Sequence, residues 1–408
     1  MSTSQSEREK VFAKVRRLVG EKHFNPGSHG VDWDELAAQK AQEILRDPEQ
    51  FEKRVHSLLA ELHTSHTGFF HMSNRSVPAP LAINATLKSC SVAGELNWVF
   101  QDVHEGGVAH AAGIRPGDLL VAVDDKRLVP PTVPVFRMSG SSTASVQRPS
   151  GVANRVRIDV PKPKSSRHPV NVPRAVAHLS LPSQVGYLKI NMFPGVIGID
   201  FAKEVEAAIA GLSMCDRLVI DLRGNTGGGI GGLRVMSYLT PDKLPIGYSL
   251  TRRRAQSGYK REELRRFGRI PSTKAALPWL IVKYGMGDKS ICLYTEGLGS
   301  QKFHGKVVLL VNEHSASAAE MLAAFAAENS LAKIVGTKTA GRLLSGSAFR
   351  VGHGYILVLP SAAYLTWSGR SLEGTGITPD VEIDTTYESL RAGEDVQLQK
   401  ATEVVMQM

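Results

Sequence analysis

The chain has 408 residues, of which 42% are hydrophobic and 22% charged. At about 150 residues per domain that length holds two or three domains with sizeable cores. The composition excludes disordered and collagen-like classes. The formal net charge of +10 favours anionic partners and solubility but says nothing about fold. Apolar runs such as Val307–Val311 fall far below the roughly 20 residues of a membrane helix, so no membrane insertion is expected. The N-terminal stretch MSTSQSEREKVFAKVRR is polar and charged, which gives the expectation of a cytoplasmic protein unless a leader has been removed. Three widely spaced cysteines, Cys90, Cys215 and Cys292, argue against a disulfide framework or a Cys-rich zinc site and fit a reducing compartment.

In chain order, residues 1–77 read as a helical segment. FEKRVHSLLAELHTSH places Phe51, Val55, Leu58, Leu59, Leu62 and His66 on one helical face. Pro78 and Pro80 then break the pattern. Residues 78–170 read as β-rich: WVFQDV is a strand, HEGGVAHAAGI a turn and short helix, PGD a tight turn and LLVAVDDKRL a strand. This stretch resembles a PDZ domain, a module that binds extended peptide ends at a sheet edge. The usual carboxylate-binding loop is not legible in Leu81–Leu87. Pro161–Pro173 reads as a linker. In residues 171–408 the strand-like runs GYLKINMF, RLVIDLR, KVVLLVN and KIVGT alternate with the helical FAKEVEAAIAGL and SAAEMLAAFAAEN, the pattern of an α/β layer on a mostly parallel sheet. Between Pro241 and Ala275 ten Lys or Arg face three acids. With no nucleic-acid module around them, they read as a solvated, mobile loop, and no nucleic acid is expected as a partner.

Four stretches could carry chemistry. In KVVLLVNEHSASAAEMLAAFAAEN a buried strand runs into an Ala-rich helix with Ser315 and Ser317 at the junction, where outward N–H groups and the helix dipole suit an oxyanion. Ser317-x-x-Glu320 is equally a capping box. In DLRGNTGGGIGG, Asp221–Gly232, the glycines sit at the C-terminal end of a strand, where α/β proteins place their sites, or serve only a tight turn. In LHTSHTGFF, His66 is a base or a core histidine, and His63-x-x-His66 lacks a third metal ligand. In RSLEGTGITPDVEI, Glu373 precedes a Gly-rich turn.

Taken together and in order, SHT, the PDZ-like stretch, DLRGNTGG, NEHSASAAE, GTKTAG and EGTGITPDVEI resemble the tail-specific, or C-terminal-processing, serine peptidases, and within them the tricorn-like branch. The resemblance implies a protease–crotonase-like α/β peptidase domain with an N-terminal helical segment and an inserted PDZ-like domain. It also implies peptide-bond hydrolysis without metal or organic cofactor. It makes Ser317 the nucleophile, with Ser315 as runner-up. Many family members pair that serine with a lysine, but the matching position here is Arg342, which stays protonated and cannot be a base, and Lys338 is out of register. The tricorn-like arrangement instead implies His66 as base, with Ser65 and Glu373 orienting it. Backbone N–H groups of Ala318 and of Gly227 or Gly228 would form the oxyanion hole.

The expected partners are peptide or unfolded-protein substrates, with a homo-oligomer also open. The rival functions are a non-catalytic peptide or small-ligand binder on the same fold and a PDZ-led scaffold. Retention of Ser317, His66, Ser65 and Glu373 together weighs against the first rival. The illegible peptide loop weighs against the second.

Overall fold

A computed structural model describes residues 4–27, 30–74, 76–162 and 171–408. Its centre is a six-stranded sheet. The strands Val176–Leu181, Val185–Ile190, Arg217–Asp221, Lys306–Val311, Lys333–Gly336 and Val381–Glu382 lie side by side in that order. The first pair is antiparallel and all the others are parallel. The four apolar runs read as strands all belong here. Burial on both faces explains why they are continuous rather than alternating.

One face is covered by the helices Ile199–Gly211, Gly232–Tyr238 and Ala318–Glu328. The last is buried from Ala318 through Ala326, and its alanines let it pack closely. Burying a large side chain such as Phe325 in this core contributes about 1.5–3 kcal/mol. The C-terminal helix Val396–Met406 covers the other face through Ala401 and Val405. Its N-cap, Asp395, pairs with Arg223 at 2.6 Å, and Arg223 in turn grips the buried Asp221 at 2.7 Å. The DLR triplet is therefore a structural rivet that fixes where the glycine turn leaves its strand.

A second sheet is built around the long strand Tyr355–Thr366. The N-terminal helices Gln5–Lys22, Trp33–Arg46 and Phe51–Ala60 pack on it, and Gly68–His71 adds to its edge. The basic stretch also belongs here, which corrects its reading as a mobile loop. Arg265–Phe267 pairs with Ile291–Leu293, and the Arg261 guanidinium stacks 4.3 Å from the Trp367 ring centroid. Arg–aromatic stacking converts charge into order.

The PDZ-like sheet contains Ala85–Val92, Glu95–Val103, Leu119–Val123, Ser141–Gln147 and Ala153–Asp159. The short helix Val108–Ala111 falls where HEGGVAHAAGI places it. Ser76–Pro78 pairs with Val135–Arg137, so this body starts just ahead of Pro78. Of the linker read over Pro161–Pro173, residues 163–170 lie outside the described residues.

Candidate active site

Ser317 stands between the end of the strand Lys306–Val311 and the helix Ala318–Glu328, with φ 56° and ψ −116°. A non-glycine residue there costs about 1–3 kcal/mol and persists only when its surroundings over-determine it. Here they do. The Ser317 N–H donates to Glu320 Oε2 at 3.0 Å, Ala316 N–H to Asn225 O at 2.9 Å, and Met321 N–H to Ser317 O at 3.0 Å. The residue is only half-buried, so the sharp turn presents it to an approaching ligand. Ser315 is a different case. Fully buried, its hydroxyl donates to Leu222 O at 2.8 Å and accepts from Asn312 N–H at 3.0 Å. The runner-up nucleophile is thus a brace that ties the two strand ends together.

His66 does not lie on a helix, which corrects the periodic reading. The helix ends at Ala60, Leu62 still reaches the core, and His63 and His66 take the left-handed backbone conformation at φ 49° and 58°. One left-handed residue is enough to stop a helix. The chain then turns through Thr64–Thr67, and His66 is brought beside Gly346, where an added Cβ would stand 3.3 Å from the histidine Cβ and Cδ2.

The structure brings Ser65, His66 and Glu373 into one chain of hydrogen bonds. Ser65 Oγ is 2.8 Å from His66 Nδ1 and 2.9 Å from Glu373 Oε2, and Ser65 N–H donates to Glu373 Oε1 at 2.7 Å. The carboxylate can only accept, so the Ser65 hydroxyl donates to it and accepts from His66 Nδ1–H. That fixes the tautomer and leaves the Nε2 lone pair available as a base. Burial lowers the His66 pKa, with the charge of Arg342 acting in the same direction and Glu373 opposing it. The imidazole is therefore neutral near pH 7, as a general base must be.

Ser317 and His66 share no hydrogen bond among the described residues. They are connected by the segment Gly341–Leu343. Glu320 accepts from Gly341 N–H at 2.7 Å and Arg342 N–H at 2.9 Å, while Glu373 accepts from Leu343 N–H at 2.9 Å. Arg342, at the position that a lysine base holds in many family members, is exposed in this segment.

The glycine turn lies against Ser317. A Cβ on Gly227 would stand 2.6 Å from Ser317 Cβ and 3.1 Å from Ala318 N, and Gly227 has φ 94°. Only glycine fits both constraints. Its N–H, however, donates to Asn225 Oδ1 at 2.8 Å, so Gly227 is committed and does not supply a donor. Among the described residues no protein acceptor takes the N–H of Gly228 or of Ala318.

One set of contacts has no signal in the motifs. Asp102 and His104, from the PDZ-like module, reach the same turn. His104 Nε2–H donates to Gly224 O at 3.0 Å, Gly224 N–H donates to Asn312 Oδ1 at 3.0 Å, and Asn312 Nδ2 donates to Asp102 Oδ2 at 2.9 Å. Burial alone would raise the Asp102 pKa, but Lys189, Arg223 and His104 outweigh it and hold the carboxyl below its ordinary value. The module therefore abuts both the glycine turn and the turn that leads to Ser317 through a hydrogen-bonded polar network.

The peptidase family S41 model matches residues 184–383, and a PDZ domain model matches residues 99–135. The chain carries a peptidase family S41 domain and a PDZ domain. It is 24% identical over 98% of its length to tricorn protease homolog 2 of Streptomyces coelicolor, of which it covers 32%. It is 23% identical over 98% of its length to the carboxyl-terminal-processing protease of a Synechocystis strain, of which it covers 87%. The chain thus spans about a third of the first relative and most of the second. The photosystem II D1 C-terminal processing protease superposes with a TM-score of 0.57 at 18% identity, covering 96% of this chain and 98% of that one. Mature CPAF superposes with 0.59 at 16%, covering 98% and 96%. These likenesses show a common fold, the α/β peptidase architecture with an inserted PDZ domain.

Proposed function

We propose that this S41 chain is a serine endopeptidase acting on peptides or unfolded protein segments, with Ser317 as nucleophile and His66 as general base. The observation that carries this reading is the Glu373–Ser65–His66 hydrogen-bond chain, which presents an unprotonated Nε2 and is tied to the strained Ser317 turn through Gly341–Leu343.

On substrate binding, Ser317 Oγ attacks the scissile carbonyl carbon as His66 Nε2 takes the hydroxyl proton. The tetrahedral oxyanion accepts from the N–H groups of Gly228 and Ala318. His66 then protonates the leaving amine, and the ester bond to Ser317 is hydrolysed by water activated through the same imidazole. Glu373 supports the imidazolium through the Ser65 hydroxyl and is not itself a proton acceptor.

The test is mass spectrometry of a mixed peptide library incubated with the wild type, Ser317→Ala and His66→Ala. Internal cleavage by the wild type that both variants lose supports the reading. Cleavage that survives in Ser317→Ala, or a wild type that binds peptides without cutting them, overturns it. Removal of peptides only residue by residue from an end would replace the endopeptidase assignment with an exopeptidase one.

A further inference from the structure

Most of the net charge lies in one stretch of the sequence. Arg252–Lys289 contains eleven Lys or Arg and three acids, a surplus of +8, which leaves +2 of the total +10 for all other residues. Inside this stretch lies the helix Leu277–Gly285. It buries Leu280 and packs Leu277 and Tyr284 on the core. Its outer side leaves Trp279 60%, Ile281 70% and Val282 59% exposed, and Met286 just beyond it 68%.

The cations are built around this apolar face. Lys283 Nζ is 4.7 Å from the Trp279 ring centroid. Arg265 donates to Lys283 O at 2.9 Å and Met286 O at 3.0 Å, which holds its guanidinium at the helix end. Lys289 is exposed one turn further along the chain.

We propose that this face docks on an anionic membrane surface. A helix with an outward Trp and aliphatic side chains and flanking Lys or Arg is suited to the headgroup region, where the apolar side chains enter the acyl boundary and the cations meet lipid phosphates. Charge selects this occupant over the others. A second copy meeting the face about a two-fold axis would set the Arg265, Lys283 and Lys289 cations of one copy against those of the other. An extended peptide needs a groove, whereas side chains this exposed project outward and fit a flat surface. The helix would lie on the bilayer, since no helix among the described residues is long and apolar enough to cross one. The proposal stands apart from the peptidase reading and is tested without turnover.

The experiment is co-sedimentation of the full chain with phosphatidylcholine vesicles and with phosphatidylcholine–phosphatidylserine vesicles, followed also by tryptophan fluorescence. The expected result is binding to the anionic vesicles alone, weakened by salt, with a blue shift in emission. Trp279→Ser/Ile281→Ser should bind at least about tenfold more weakly, because it removes the two most lipid-accessible apolar groups on the helix. Lys283→Glu/Lys289→Glu should also weaken binding. All four positions are exposed, and unchanged circular dichroism and melting would confirm intact folding. Absence of binding by the wild type overturns the proposal, as does equal binding by the Trp279→Ser/Ile281→Ser variant. So does a concentration-dependent dimer, or binding of an acidic polypeptide in place of vesicles, that the same two substitutions abolish.

Discussion

Glu320 and Glu373 hold three consecutive backbone N–H groups between them. Glu320 takes those of Gly341 and Arg342, and Glu373 takes that of Leu343. Each carboxylate also holds one side of the proposed site: Glu320 the Ser317 N–H, and Glu373 the N–H and hydroxyl of Ser65, which in turn bonds His66. Two residues distant in sequence thereby set one spacing, that of the nucleophile turn from the histidine loop.

Glu320→Gln tests the clamp. The buried Glu320 carboxylate accepts from four donors, including the Thr339 hydroxyl at 2.7 Å, and a glutamine would turn an NH2 group toward some of them. Leaving buried donors unpaired costs about 1–3 kcal/mol each. Melting should therefore shift down, and kcat should fall more than KM rises, because the Ser317 turn relaxes from its strained geometry. An unchanged melting temperature would refute the clamp.

The pH profile should reveal His66 through its neighbours. A histidine whose pKa burial has lowered stays unprotonated further into acid, so the acid limb of kcat/KM should lie below the ordinary value of 6.5. Arg342→Ala removes a repulsive charge and should move that limb up in pH. Glu373→Gln removes an attractive one and should move it down, together with a loss of about 100- to 10,000-fold in kcat. Shifts of the same sign in both variants would contradict the assignment.

The strand runs of the central sheet were legible because burial on both faces makes them predominantly apolar, and the Ser317 helix because no glycine or proline interrupts its Ala-rich run. Ser315 and Ser317 both precede the same helix, and only the resemblance ranks them in the sequence; the two hydrogen bonds that bury Ser315 give the physical distinction. His66 fits the helical spacing by coincidence. The turn that removes it from the helix depends on left-handed residues at His63 and His66, positions where no glycine signals the break. The commitment of Gly227 to Asn225 was equally hidden, because both glycines look alike until the Asn225 side chain folds back. The basic stretch reads as a loop because its order is divided among short pieces, the strand Pro245–Thr251, the helix Arg252–Ser257 and the strand Arg265–Phe267, and is completed by stacking.

His104 should act as a positioning residue for the glycine turn. His104→Ala leaves Gly224 O without its donor and opens space where the ring packs 2.7 Å from the position of a Gly224 Cβ. We expect kcat to fall about 10- to 100-fold with KM little changed, since the turn carries the proposed Gly228 donor and one such donor is worth about 100-fold or more. His104→Gln keeps an N–H donor and should recover part of the loss. A change in KM alone would mean that the PDZ domain serves only to bind substrate.

Acid should loosen the histidine loop before it unfolds the rest. His23 Nε2 is 3.1 Å from Thr64 Oγ1, next to Ser65. Burial, with the Arg252 charge adding to it, lowers the His23 pKa from 6.5 to about 4. The unfolded chain takes up this proton near pH 6.5 while the folded chain resists until about pH 4. Between those values the unfolded state binds more protons, and stability falls as pH is lowered. The contribution is present in full above pH 6.5 and is lost progressively toward pH 4, at no more than about 1.4 kcal/mol per pH unit for one group. Urea unfolding of the wild type across this range should show that slope, and His23→Gln, which keeps a partner for Thr64 but does not titrate, should flatten it. Equal slopes in the two proteins would assign the acid sensitivity to other groups and remove His23 as its source.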